Sequence, residues 1–210
     1  DWSSDVCSSD LLQALTRNAA PVLAQVDIHQ AIRHILAISR NEIERRQIAL
    51  KLSLDADPAY AFGDDIQLQQ VILNLVVNAI DAMAEIHDRP RVLHLATRVA
   101  DDQLLEVSVD DTGTGIGPDL AEQVFEPFYT TKPKGHGTGL GLATVYGAVT
   151  QLGGEINMRS APGQGTTVEI RLPLEIASGA PAEVAPRGEV RREGRVLLVD
   201  DERDLLDRKS

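Results

Sequence analysis

The sequence has little cysteine, little positive charge and no long apolar run. Its one cysteine, Cys7, leaves no internal disulfide to form, which suits a reducing compartment, so the cytoplasm is the default expectation. The 20 Lys+Arg stand against 32 Asp+Glu, a net charge of -12. Such a charge repels a phosphate backbone and an anionic membrane surface alike, so nucleic acid is not an expected partner. The most apolar stretch, Val71 to Ile80, is broken by Asn74 and Asn78 and falls short of the roughly 20 residues that span a bilayer. If the parent protein is anchored in an inner membrane, the anchor is expected outside this chain.

What is present suits one compact domain with tails. A length of 210 residues and a hydrophobic content of 43% are enough to fill one core. The opening Asp1 to Asp10 is rich in Ser and Asp without a period and reads as a non-native leader. From Ile28 the apolar residues Ile28, Ile32, Ile35, Leu36 and Ile43 recur at helical spacing behind Asp27 as N-cap, a first helix ending near Arg46. Ile48 to Leu54 and Ala59 to Phe62 read as strands, and Asp64 caps a long helix reaching about Glu85. Strands Val92 to Val99 and Leu104 to Val109 follow, joined by the turn Asp101-Asp102. A helix from Thr138 to Leu152 is stopped by Gly153-Gly154, and strands Glu155 to Arg159 and Thr166 to Leu172 turn at Pro162-Gly163. This order predicts a mixed α+β domain, with antiparallel hairpins and helices on one face. Residues 175–194 have a linker's composition, and Arg195 to Asp201 reads as the first buried strand of a further domain.

Four segments carry candidate chemistry. On the long helix, Gln67, Gln70, Asn74, Asn78 and Asp81 share a polar arc opposite Leu68, Ile72, Leu75, Ala79 and Met83. A solvated face would give the same stripe. The functional alternative is that Asn78 offers an amide oxygen to a divalent cation held by phosphates. Next, Asp110-Asp111-Thr112-Gly113-Thr114-Gly115-Ile116-Gly117 follows a strand, so a carboxylate there can accept from an exocyclic amine beside a tight turn. Ordinary Asp/Gly turns look similar. Third, Gly135-His136-Gly137-Thr138-Gly139-Leu140-Gly141-Leu142 opens a helix whose free N–H groups would favour phosphate, or else it is only a hinge. It lacks the Gly-Lys-Ser/Thr ending of a P-loop, and no βαβ context surrounds it. Between the glycine segments, Phe125 to Lys132 holds aromatics that could anchor a loop and a lysine that could reach a terminal phosphate.

In this order and spacing the series resembles the histidine-kinase family of the superfamily that includes DNA gyrase, the mismatch-repair ATPases and the ATP-driven heat-shock chaperones. The resemblance covers about Val26 to Pro173. It implies a Bergerat-type two-layer α/β sandwich, with a mixed, mostly antiparallel sheet covered on one face by helices. It also implies ATP and Mg²⁺ as ligands and phosphoryl transfer as the reaction. Asn74 and Asn78 would form the N box, with Asn78 on Mg²⁺ and Asp81 beside the nucleotide, while Asp111 would recognise the adenine amino group. Gly113, Gly115, Ile116 and Gly117 would shape the first glycine box, and Phe125 and Phe128 would belong to the F box. Gly137, Thr138, Gly139, Leu140 and Gly141 would wrap the phosphates. Thr131 to His136 would be the lid, with Lys132 near the γ-phosphate.

Two departures qualify the resemblance. The family's phosphoacceptor histidine is followed by an acid and then a proline on a dimerisation helix. None of His29, His34, His87, His94 and His136 fits, His87 being a loop residue despite Asp88 and Pro90. The acceptor is expected on a separate dimerisation domain, with Leu11 to Arg17 as the tail of its second helix, residues 11–25 as connector, and a homodimer in the parent. Val199 to Glu202 resembles the start of a receiver domain, 195–210, without its phosphorylated aspartate, which makes a response-regulator receiver an expected partner. A conformational ATPase of the same superfamily is the competing enzyme, disfavoured because its water-activating Glu would stand where Asn74 is. A nucleotide-sensing module without turnover is the non-enzyme alternative.

Overall fold

The computed structural model describes residues 23–100, 103–120, 123–130 and 138–174. The leader and dimerisation-helix tail, the turn Asp101-Asp102, the lid residues Thr131 and Lys132 through Gly137, the linker and the receiver-like strand lie outside the described residues.

Strand β1 (Leu23–Asp27) leads directly into helix α1 (Ile28–Arg45), whose N-cap Asp27 accepts the Gln30 N–H at 3.0 Å. Strands β2 (Ala49–Leu54) and β3 (Tyr60–Asp64) precede helix α2 (Asp65–Ala82), capped by Asp64 through the Gln67 N–H. The rest is β4 (Val92–Ala100), β5 (Leu104–Asp111), two short 3-10 turns, helix α3 (Gly141–Gln151), β6 (Glu155–Ala161) and β7 (Gly165–Pro173). The main sheet runs β2-β4-β5-β7-β6; the β2–β4 pair is parallel and the others antiparallel. The mixed, mostly antiparallel sheet expected from the sequence is therefore present.

Period-two alternation decides which face is covered. Leu93 and Leu95 on β4, Leu105, Val107 and Val109 on β5, and Val168, Ile170 and Leu172 on β7 are all buried. They form one core with Leu68, Ile72, Leu75, Val76 and Ala79 of α2, Ile32 and Ile35 of α1, and Val145 and Val149 of α3. The opposite face is polar. At its centre the buried Glu106 accepts from Arg98 Nε at 2.6 Å and from Arg171 Nε at 3.1 Å. These guanidinium bonds, Arg98's foremost, hold its carboxyl below the ordinary range against the opposing effect of burial.

Three boundaries differ from expectation. β1 has no anticipated counterpart, yet it pairs antiparallel with β3 from Leu23↔Asp64 to Asp27↔Tyr60. Its alternation is weak because three of its five residues are exposed. α2 stops at Ala82 rather than near Glu85, since Met83 caps it and Ala84 N bonds to Asp81 O in a turn. α3 begins at Gly141 rather than Thr138. Gly139 has φ +66 and its carbonyl accepts the Phe128 N–H at 2.9 Å, so it cannot join a right-handed helix.

Leu95 is fully buried in β4, next to the sheet's centre. Leu95→Ala is expected to lower unfolding stability by about 3 kcal/mol, the cost of lost transfer energy plus a cavity. Urea unfolding followed by circular dichroism checks this, and a loss under about 1 kcal/mol would contradict the core assignment.

Candidate functional site

α2 divides its residues between two duties. Leu68, Val71, Ile72, Leu75, Val76, Ala79 and Ile80 are buried, while Gln67, Gln70, Asn74, Asn78 and Asp81 are half-buried along the other side. The amide stripe is thus neither core nor freely solvated. The Asn78 side-chain nitrogen lies 3.5 Å from where a Cβ on Gly141 would stand, and its oxygen 3.9 Å. The glycine-rich start of α3 therefore meets the amide stripe of α2. Gln67 Nε2 also donates to Gln151 Oε1 at 3.2 Å, near the far ends of the two helices.

The N-terminus of α3 has no side-chain cap: Leu140 fills the cap position and makes no such bond. The first-turn N–H groups thus receive no side-chain cap, and Asn78 lies beside Gly141, the first residue of the helix. Before it, Leu140 N donates to Thr138 Oγ1 at 3.3 Å. A Cβ on Gly139 would fall 2.4 Å from the Phe128 backbone, so a glycine is required there by both φ and space. Phe128 has φ +68 and is 75% exposed, so it does not anchor the loop by burial as the aromatics were expected to do. Phe125 is half-buried, its ring tilted against Tyr146 at 5.9 Å, and Val124 beside it is the buried residue of the turn.

The first glycine turn is joined to the C-terminal end of α2, one turn beyond Asn78. Thr114 N donates to Ala82 O at 3.0 Å, and a Cβ on Gly113 would strike the Ala82 backbone at 2.7 Å. At the end of β5, Asp111 accepts the Gly113 N–H at 2.7 Å. Burial pushes its carboxyl up to about 6, against the lowering effect of backbone bonds from Gly113 and Thr166, with Asp110 adding repulsion. Such a shifted acid in a strand-end recess is a candidate functional group. Farther along, Ile116 N donates to Ser160 Oγ at 2.8 Å, and Gly163 N to Thr114 O at 2.7 Å. Gly117 has no atom near its missing Cβ.

Asn78, Asp111, Gly113, Gly139 and Gly141 are thus joined through the C-terminal end of α2 and the start of α3. The Asp81 carboxylate is 3.3 Å from Arg46 Nη2, at the C-terminal cap of α1. Thr131, Lys132, His136 and Gly137 lie outside the described residues. The sequence reading missed Ser160 and Arg89, which support the glycine turn through hydrogen bonds to its backbone. Neither belongs to a motif, and only the folded contacts reveal them. Of the four described histidines, three have bonded partners: His29 with Thr97 at 2.7 Å, His94 with Ser53 and Asp110, and His87 with Arg91. Among the described residues no group of three His, Cys, Asp or Glu could hold a metal, so an amide oxygen such as that of Asn78 is the available kind of protein ligand.

Comparison with known proteins agrees with this geometry. The profile of the family "Histidine kinase-, DNA gyrase B-, and HSP90-like ATPase" matches residues 63–176. The chain belongs to that family. It is 38% identical over 200 residues to the sensor kinase CckA of Brucella abortus, covering 86% of this chain and 21% of that protein. It is 37% identical over 168 residues to the sensor histidine kinase ZraS of Klebsiella oxytoca, covering 79% and 34%. Full-length ShkA, solved in complex with AMPPNP, superposes with a TM-score of 0.64 at 27% identity, covering 74% of this chain and 32% of that one. The chain thus spans between a fifth and about a third of the length of these relatives.

The raised Asp111 carboxyl fixes a sign. A folded-state value of about 6, above the ordinary carboxyl value of 3.8, means that its stabilising contribution is full below pH 4 and is lost as pH rises through 6. Relative to Asp111→Asn, the ligand-free protein is expected to lose about 2 kcal/mol of stability between pH 4 and pH 7. Urea midpoints of both proteins across that range test it. Parallel curves would show that the carboxyl is not desolvated as described.

Proposed function

We propose that the chain is the ATP-binding catalytic part of a sensor histidine kinase, which takes ATP with Mg²⁺ and passes the γ-phosphoryl group to a histidine on a dimerisation domain. The observation that carries this reading is the meeting of Asn78 with the start of α3 at Gly141, which no side chain caps, one turn before the end of α2 that holds the Asp111 turn.

The residues fit the ligands. Asp111 would accept the exocyclic amine of adenine, and the Gly113 to Gly117 turn would lie against the base. The first-turn amides of α3, from Gly141 on, would bind phosphate, with Gly137, Thr138, Gly139 and Leu140 wrapping it. Asn78 would give the metal an oxygen ligand and leave most of its coordination to phosphates and water, the usual arrangement for Mg²⁺. When bound, Mg²⁺ supplies charge neutralisation on the transferring phosphate. Lys132 and Thr131 would complete the phosphate end. The acceptor imidazole nitrogen attacks phosphorus in line as the bond to the bridging oxygen breaks, so catalysis is positioning plus electrostatics. Asn74 stands one turn before Asn78, where a water-activating enzyme would need a base, and its neutral amide favours transfer over hydrolysis.

The catalytic domain is taken as residues 26–174, followed by a linker at 175–194 and the start of a receiver domain at 195–210. The partners are the dimerisation domain and a response-regulator receiver within a homodimeric parent. A cytoplasmic location follows the sequence argument, and no helix among the described residues is long and apolar enough to cross a membrane. The names of CckA and ZraS support the kinase reading, as the AMPPNP bound by ShkA supports the nucleotide.

The test mixes the 210-residue chain with labelled ATP, Mg²⁺ and a separately made dimerisation segment. Acid-labile, alkali-stable label on that segment is expected, and Asn78→Ala should reduce it about a hundredfold, the scale of losing a preorganised electrostatic contact. Release of free phosphate without labelled protein would indicate an ATPase, and binding without turnover would indicate a sensing module.

A further inference from the structure

We infer that Arg89, on the segment between α2 and β4, is a positioning residue for adenine recognition that acts on Asp111 through the peptide planes of the first glycine turn. The inference rests on the adenine role proposed for Asp111.

Two backbone planes carry it. Arg89 Nε donates to Thr112 O at 3.1 Å, and Nη2 donates to Gly113 O at 2.7 Å. The plane whose carbonyl is Thr112 O has as its other end the Gly113 N–H, and that N–H donates to Asp111 Oδ1 at 2.7 Å. The plane whose carbonyl is Gly113 O ends in the Thr114 N–H, which donates to Ala82 O at 3.0 Å. One guanidinium therefore holds both carbonyls outward and turns both N–H groups inward, toward the acid and toward the end of α2. A donor cation on a carbonyl polarises the peptide and strengthens the bond its N–H makes. The fork geometry matters, because two parallel donors reach two successive carbonyls and an ammonium presents no such pair.

The segment leaves the turn little freedom to do otherwise. Thr112 Oγ1 accepts the Val92 N–H at 2.9 Å and donates to Pro90 O at 2.9 Å, which fixes the residues on both sides of Arg89's reach. The Gly113 bond lowers the Asp111 carboxyl, and Asp110, itself 3.2 Å from His94, raises it. Weakening the Gly113 donor should thus leave Asp111 protonated at higher pH, where it accepts an amine less well.

The test measures binding of Mg·AMPPNP to the whole chain across pH, for Arg89→Ala, Arg89→Lys, Asp111→Asn and the double variant Arg89→Ala/Asp111→Asn. Arg89→Ala is expected to weaken binding about tenfold and to move the pH midpoint of binding upward, with Arg89→Lys restoring part of the affinity. In the Asp111→Asn background, Arg89→Ala should add less than about twofold, because its effect passes through the missing carboxylate. Independent, additive losses, or an unmoved midpoint, would overturn the inference while leaving the adenine role of Asp111 intact. Should Arg89→Ala fail to fold, Arg89→Lys decides by the same midpoint. Unchanged affinity in Asp111→Asn itself would instead remove the adenine reading, and this inference with it.

Discussion

The last carbonyls of a helix have no partner within it, and α2 gives that of Ala82 to the Thr114 N–H of the first glycine turn. This bond fixes where the turn sits relative to the amide stripe, and the contact is so close that Gly113 has no room for a side chain. The turn in turn holds Asp111, and about one turn up the helix Asn78 meets the start of α3. A shift of α2 along its axis would therefore move the acid, the amides and the helix terminus out of register together. Burial prevents that shift: Leu68, Val71, Leu75, Val76 and Ile80 are at most 2% exposed, and a side chain interdigitated at that density has no alternative seat.

Most of the framework was legible in the sequence for the same reason. Residues that must be buried on one side announce themselves by period, as the apolar residues of α1 and α2 and the alternating β5 and β7 did. The caps Asp27 and Asp64 were legible because an N-cap is a local transaction between a side chain and an amide three residues on. β1 was not, because an edge strand with three exposed residues carries no alternation and is defined by its partner β3. The start of α3 was misplaced by three residues because the Phe128–Gly139 contact that bars Gly139 from the helix is made across the chain.

At the site, the division runs along a different line. Groups that would touch a ligand, such as Asn78 and Asp111, stood out because their chemistry is unusual for their position: amides in a helix and an acid at a buried strand end. Groups that support them did not. Arg89 and Ser160 act only on backbone atoms, and a side chain bound to a carbonyl or an amide constrains no particular residue type at the other end. Asp81 shows how one polar arc can serve two neighbours: it shares the arc with Asn78, and its carboxylate lies 3.3 Å from Arg46 of the neighbouring segment.

The net charge of -12 sharpens how such a site could hold a polyanion. Long-range attraction is unavailable, since the summed field opposes an incoming nucleotide. What remains must be short-ranged and fixed in place: helix-terminal amides, a metal carried by the phosphates, and neutral side chains that add no further repulsion. Asn74 and Asn78 meet that condition where acids would not. Asp111, at the end of β5, is held by burial at a raised value of about 6, so the ligand-free fold bears the cost of desolvating it. Two backbone N–H groups offset part of that cost, and the guanidinium behind them keeps one of those donors aimed. The electrostatics of the recess thus come down to peptide dipoles, whose directions are set by the close packing of the turn against α2.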